Sequence, residues 1–246
     1  MAHLTTEPVE IKVAAGVLSG DLVVPPSAIA AVLFAHGSGS SRRSPRNRAV
    51  AEALQNAGFA TLLLDLLTAE EARIDDRTQE LRFDIDLLTD RLATAVDWLD
   101  GWPATKGMPL GLFGASTGAA AALKTASQRP DRVVAVVSRG GRPDLSGEAL
   151  SSVQAPTLLV VGGDDREVLE LNRHAAKLLT SLPLTDVRIE IVQHAGHLFE
   201  EPGALEKVSE LASDWFRRYA GTPRPSGPTG SHFKPPEPVR RPPALH

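Results

Sequence analysis

The chain has 246 residues, 42% of them hydrophobic and 23% charged, with a net charge of −4, which suits one soluble α/β domain of generous size and is short for two. Lacking cysteine, it can have no disulfide framework, no thiolate metal site and no cysteine nucleophile, and its mild acidity gives no reason to expect nucleic acid or an anionic membrane as partner. Met1 to Pro8 lack a basic segment followed by an apolar stretch, and no apolar run approaches the roughly 20 residues that span a bilayer, so a cytoplasmic enzyme is expected.

Residues 9–14 and 20–24 read as two short strands around Gly16, a hairpin at a sheet edge. The apolar run from Ile29 to Phe34 is that of a strand covered on both faces. Pro45 to Ala57 reads as a helix ended by Gly58, and Ala60 to Leu64 as the next buried strand. Leu81, Ile85, Leu88, Leu92, Val96 and Leu99 step by threes and fours along one face of a helix over 79–100, stopped by Gly101 and Pro103. Buried strands follow at Leu110–Phe113, Val133–Val137 and Thr157–Val161, with helices at 117–128 and 166–181. A last strand at Val187–Val192 and a helix from Gly203 to Tyr219 close the domain. This alternation predicts an α/β fold, a mostly parallel doubly wound sheet with helices on both faces, over residues 1–220. The segment 221–246 holds eight of the chain's nineteen prolines and almost no aliphatic residues, so it reads as a flexible Pro-rich tail. The sequence leaves the oligomeric state open.

The strongest chemical signal is Gly114-Ala115-Ser116-Thr117-Gly118, between a buried strand and the small-residue run Ala119 to Ala122. That is the setting of a nucleophile elbow, in which a sharp turn holds the serine in a strained conformation and needs neighbours without bulk. Serine at its free pKa is a poor nucleophile and needs a base, which in turn needs a carboxylate to fix its tautomer. Of seven histidines, His3, His232 and His246 lie in the terminal segments and His174 sits inside a helix among charged residues. Of the remaining three only His194 and His197 follow the acid position, as the order Ser, Asp, His of hydrolases on such sheets requires. Gly196 favours His197 by freeing the backbone to swing the next side chain inward. Gly162-Gly163-Asp164-Asp165 places two acids after a buried strand. Asp165 is preferred, with Asp164 left to cap the following helix, and Asp144 is a third candidate. The backbone N–H of Thr117 and that of Ser38, in the loop Ala35 to Ser41, are expected to form the oxyanion hole, with His36 bracing that loop. Arg139 and Arg142 leave a strand at the catalytic edge, placed to pair with a substrate carboxylate or phosphate, and a salt bridge to Asp144 competes for that role.

Together these residues resemble the dienelactone hydrolase branch of the α/β-hydrolase superfamily over most of 9–219. His36-Gly37, Gly114 to Gly118, Gly162-Gly163 with Asp165 to Val168, and Gly196-His197-Leu198-Phe199 carry the resemblance. Ser138 to Leu145 and Leu198 to Gly203 look like a subgroup whose members also occur fused to phosphoribosyltransferase domains, of which none is visible here. Dienelactone hydrolases carry cysteine at the elbow where this chain has Ser116, so the resemblance implies the fold and the acyl-transfer chemistry and not the dienelactone substrate. The expected activity is hydrolysis of a small-molecule ester, lactone or related acyl substrate by Ser116, His197 and Asp165, with no metal or organic cofactor. An acyltransferase would use the same residues, and a binding protein of the same fold would need none of them.

Overall fold

In the computed structural model, which describes residues 4–180 and 185–221, strands and helices alternate as the apolar runs predict. The strands are β1 (Glu7–Val13), β2 (Gly16–Val23), β3 (Ala30–Ala35), β4 (Phe59–Leu64), β5 (Leu110–Ala115), β6 (Val133–Arg139), β7 (Thr157–Gly162) and β8 (Val187–Val192). The helices are α1 (Pro45–Asn56), α2 (Ala69–Thr78), α3 (Ile85–Gly101), α4 (Thr117–Gln128), α5 (Arg166–Leu179) and α6 (Ala204–Ala220). One eight-stranded sheet runs in the order β1-β2-β4-β3-β5-β6-β7-β8. The β1–β2 hairpin joins it antiparallel through β4, and all pairs from β4 to β8 are parallel.

Every residue of β3 to β7 is buried, which is why these strands read as nearly unbroken apolar runs. Alternate residues serve opposite faces. Leu33, Leu62, Leu112, Val136 and Leu159 pack with Leu92 and Val96 of α3 and Ala121 and Ala122 of α4. Their neighbours Phe34, Leu63, Phe113, Val137 and Val160 pack with Val50 and Leu54 of α1 and Val208 and Phe216 of α6. The alanines of α4 let that helix lie close on the central strands, and Ala119 to Ala122 are wholly buried.

Two elements differ from expectation. The long helix begins at Ile85, because Asp84 caps it by accepting from the Leu87 N–H at 3.0 Å. Leu81, which matched the helical spacing, sits in a short 3₁₀ turn, Leu81–Phe83. Ahead of it α2 was not foreseen. It opens on a capping box of Thr68 and Glu71 and ends at Gln79, left-handed at φ 58°. Its signal was the spacing Thr68-x-x-Glu71, hidden because Asp75 is the only buried residue of the helix. The stretch after β6 is a 3₁₀ run, Pro143–Ser152, broken at Gly147. The Pro-rich tail expected from 221 onward lies, beyond Gly221, outside the described residues. Among the described residues no helix is long and apolar enough to cross a membrane.

Packing of α6 on the sheet depends on one missing side chain. A Cβ on Gly111 would lie 2.5 Å from the Phe216 ring, and overpacking of this kind costs about 1–3 kcal/mol. Gly111→Ala is expected to lower the melting temperature by several degrees, at roughly 2–4 °C per kcal/mol for a domain this size. Gly111→Ala with Phe216→Leu should recover part of the loss in the same thermal melts.

Candidate active site

Ser116 lies where β5 turns directly into α4, at φ 50°, ψ −121°, a region that non-glycine residues occupy only when their surroundings force it. The surroundings do so. A Cβ on Gly114 would stand 2.4 Å from the Ala119 Cα, and one on Gly118 would stand 2.4 Å from the carbonyl oxygens of Ala35 and His36. The turn is also tied to β6: the Ser116 N–H donates to the Arg139 carbonyl at 3.2 Å, and the Ser116 carbonyl accepts from Arg142 N at 3.1 Å.

His197 and Asp165 come together because two loops bind each other. Beyond β7, the N–H of Gly163 donates to Val192 O at 2.8 Å and that of Asp164 to Ala195 O at 3.0 Å. His197 Nδ1 then lies 2.7 Å from Asp165 Oδ2, and the carboxylate is mostly buried. Ser116 and His197 line one cavity of about 240 Å³. The imidazole's side-chain bond is to Asp165 and not to the serine hydroxyl.

The glycines act differently from expectation. Gly162 is required by space, since a Cβ there would meet Ala195 O at 2.3 Å. In the loop after β8 the left-handed residues are His194 (φ 59°) and Phe199 (φ 55°), and Gly196 instead gives its N–H to Glu201 Oε1 at 2.9 Å. His194 faces solvent. Asp164 is exposed and does not cap α5. The cap position is Asp165 itself, whose carboxylate is turned to His197. Asp144 is held by Arg142 in a two-pronged pair at 2.9 and 2.8 Å. That pair is the salt bridge weighed in the sequence against substrate binding by Arg142, which does not line the cavity.

Arg139 does line it, and its neighbours there include Arg46, Asn47 and Ser44 from the start of α1. These α1 residues were missed in the sequence. Their only signal is that a helix entered from the end of β3 must begin at the catalytic edge. Arg139 is more than nine-tenths buried, and among the described residues its Nη1 has no hydrogen-bond partner. Burial, and then the nearby Arg46, push its pKa down to about 10.

The loop after β3 is braced as expected. His36 Nδ1 donates to the Gly37 carbonyl at 2.9 Å, and Nε2 accepts from the Leu66 N–H at 3.2 Å, so the ring is neutral. Arg42 pairs with Asp65 and, at 3.4 Å, with Asp21. Arg82, bound to Asp75 at 2.6 Å, lies against Gly39. Ser38 borders both the Ser116 cavity and a second cavity of about 360 Å³ that Thr117 also lines. Among the described residues no group of His, Asp and Glu could hold a metal ion.

The parallel sheet with its strained elbow serine defines an α/β-hydrolase fold. The model of the dienelactone hydrolase family matches residues 19–220, and the chain belongs to that family. A crystal structure of dienelactone hydrolase from Anabaena variabilis is 56% identical, with a TM-score of 0.85 over 88% of this chain and 99% of that one. Two Mycobacterium tuberculosis proteins provisionally named phosphoribosyl transferases are 53% identical over 89% of this chain and 48% of their own length. The chain thus spans about half the length of these curated relatives. Est1E from Butyrivibrio proteoclasticus, at 14% identity and a TM-score of 0.72 over 87% of this chain and 99% of its own, shares the fold.

Because burial lowers the His36 pKa from its ordinary 6.5, the folded state binds fewer protons than the unfolded one just below that value. Stability is therefore fully present above pH 6.5 and falls as acid is added. Calorimetric melts between pH 7 and 5 should show a falling melting temperature, and His36→Gln should flatten that slope. An unchanged slope in the variant would show that His36 is not the group responsible.

Proposed function

We propose that this chain is a serine hydrolase that cleaves a small or medium carboxylic ester, lactone or related acyl compound through an acyl-enzyme on Ser116. The observation that carries this reading is one cavity lined by a serine at φ 50°, ψ −121° and by an imidazole bound at 2.7 Å to a carboxylate. Asp165 keeps the proton on Nδ1, which leaves the Nε2 lone pair to act as base. His197 takes the Ser116 hydroxyl proton as Oγ attacks the acyl carbon. The carbonyl oxygen becomes an oxyanion held by the Ser38 and Thr117 N–H groups, the second at the positive end of α4. His197 returns the proton to the departing alcohol oxygen. Water, deprotonated by the same imidazole, then releases the acid and restores Ser116.

Membership of a hydrolase family and 56% identity to the Anabaena variabilis protein support hydrolysis. The provisional name of the M. tuberculosis relatives describes proteins about twice this length, and the reading here concerns the part they share with this chain.

Ser116→Ala should lower turnover of p-nitrophenyl acetate by on the order of 10⁴–10⁶ and abolish labelling by a fluorophosphonate. Retention of more than a few per cent of activity would overturn the reading.

Neighbouring residues give a finer test. Asp165→Asn should cost about 10⁴ by favouring the wrong tautomer, whereas the exposed Asp164→Asn should cost little. His197→Ala should abolish turnover, and the solvent-facing His194→Ala should leave most of it. The reverse order in either pair would assign the acid or the base to the other residue.

A further inference from the structure

Most arginines near the catalytic edge have an acid within reach: Arg42 has Asp65, Arg82 has Asp75 and Arg142 has Asp144. Arg139 is the exception, and it is more than nine-tenths buried. An uncompensated buried charge is strongly destabilising, so its persistence calls for a partner that the described residues do not supply.

Three polar atoms of residues lining the Ser116 cavity are buried with no hydrogen-bond partner among the described residues: Arg139 Nη1, Arg46 Nε and Asn47 Oδ1. Arg46 is compensated in part, through Nη1 at 3.0 Å from Glu200, but that carboxylate is two-thirds exposed and screened by water. The first turn of α1 opens onto the same place, with Ser44 at its cap and Arg46 and Asn47 inside it, so the helix dipole adds to the positive field. Ser40 and Ser44 border the cavity as further hydroxyl donors.

Resting on the Ser116 reading above, we infer that Arg139, Arg46 and the start of α1 form an oxyanion subsite, and that the substrate is an acyl compound carrying a phosphate or phosphonate group. The count of donors and charges selects this chemistry. A neutral acyl chain would leave Arg139 unpaired. A carboxylate brings one charge and two oxygens to two guanidinium groups and two serines. A phosphate dianion brings two charges and three terminal oxygens, and in its monoprotonated form an O–H that Asn47 Oδ1 can accept. Because Ser116 lines the same cavity of about 240 Å³, the anion and the scissile carbonyl lie only a few bonds apart.

The test compares kcat/KM for the p-nitrophenyl esters of 3-phosphonopropanoate, succinate and butyrate. The phosphonate ester should be preferred to butyrate by about tenfold or more, and Arg139→Gln should lower that ratio by a similar factor, since truncating one partner of a buried charge pair has effects of this size or larger. Binding is read separately from turnover and from the fate of Arg139. Phosphonoacetate should raise the melting temperature of the Ser116→Ala protein, as a ligand of the native state does, and should raise it less when Arg46→Gln is added. Intact butyrate hydrolysis with no preference for either anion, and no shift with phosphonoacetate, overturns the subsite and leaves the Ser116 reading standing. Preference for the succinate ester over the phosphonate overturns the phosphate assignment. Butyrate hydrolysis that survives Ser116→Ala overturns the reading on which the subsite rests.

Discussion

The catalytic edge depends on how closely α4 approaches the end of β3. β5 lies beside β3 in parallel register, with Gly114 opposite Ala35, and α4 begins at Thr117 two residues after the strand ends. The helix start is therefore pressed against the β3 carbonyls, and at Gly118 even a methyl group would collide with them. A chain that must reverse in so little space has no relaxed conformation for the residue at the corner. Strain of this kind costs about 1–3 kcal/mol, and the wholly buried alanine face of α4 offsets it. The corner residue is Ser116, so packing of helix on sheet fixes the position of the proposed nucleophile.

The same device recurs where the proposed acid and base meet. Gly162 lies so close to Ala195 that only hydrogen fits between them, and the contact lets the loop after β7 donate backbone N–H groups to carbonyls at the end of β8 and in the loop after it. Once Asp164 donates its N–H to Ala195, its side chain is left in solvent. The following residue carries its carboxylate to the imidazole. Close backbone approach thus separates two adjacent aspartates into one exposed and one mostly buried, and only the buried one is paired.

Much of this was legible in the sequence, because the informative residues are local. The bounds of α4 matched the predicted 117–128, since glycine, serine and four alanines specify a sharp turn followed by a helix that must lie close. Asp165 and His197 were legible for a similar reason, each standing a fixed short distance past a buried strand. In the sequence the glycines around them point to conformational freedom, whereas Gly162 is demanded by space and the left-handed turns fall on His194 and Phe199. Space between non-neighbours leaves no local trace. Helix α2 escaped notice because it buries almost nothing, so it lacks the apolar stripe by which helices are found. The meeting of Arg139 with Arg46 was illegible, since it arises from the adjacency of β3, β5 and β6 and not from any spacing along the chain.

The charges around the loop after β3 fall into two kinds, and the difference has a mechanical sense. Arg42 and Arg82 are neutralised by carboxylates and lie against or within that loop, so they hold its shape whether or not anything is bound. Arg139 has no acid partner among the described residues, yet its backbone carbonyl receives the Ser116 N–H. One residue therefore serves two ends: its main chain helps to hold the elbow, and its side chain lines the cavity beside it. A negative group that neutralised the guanidinium would stiffen the side chain, and with it the strand end that carries the Ser116 bond. Charge in the cavity and the geometry of the proposed nucleophile would then meet in a single residue. The end of β6 can take both places because its carbonyl faces the elbow while its side chain lines the cavity. The Arg42 and Arg82 pairs, already neutral, have no such response to give.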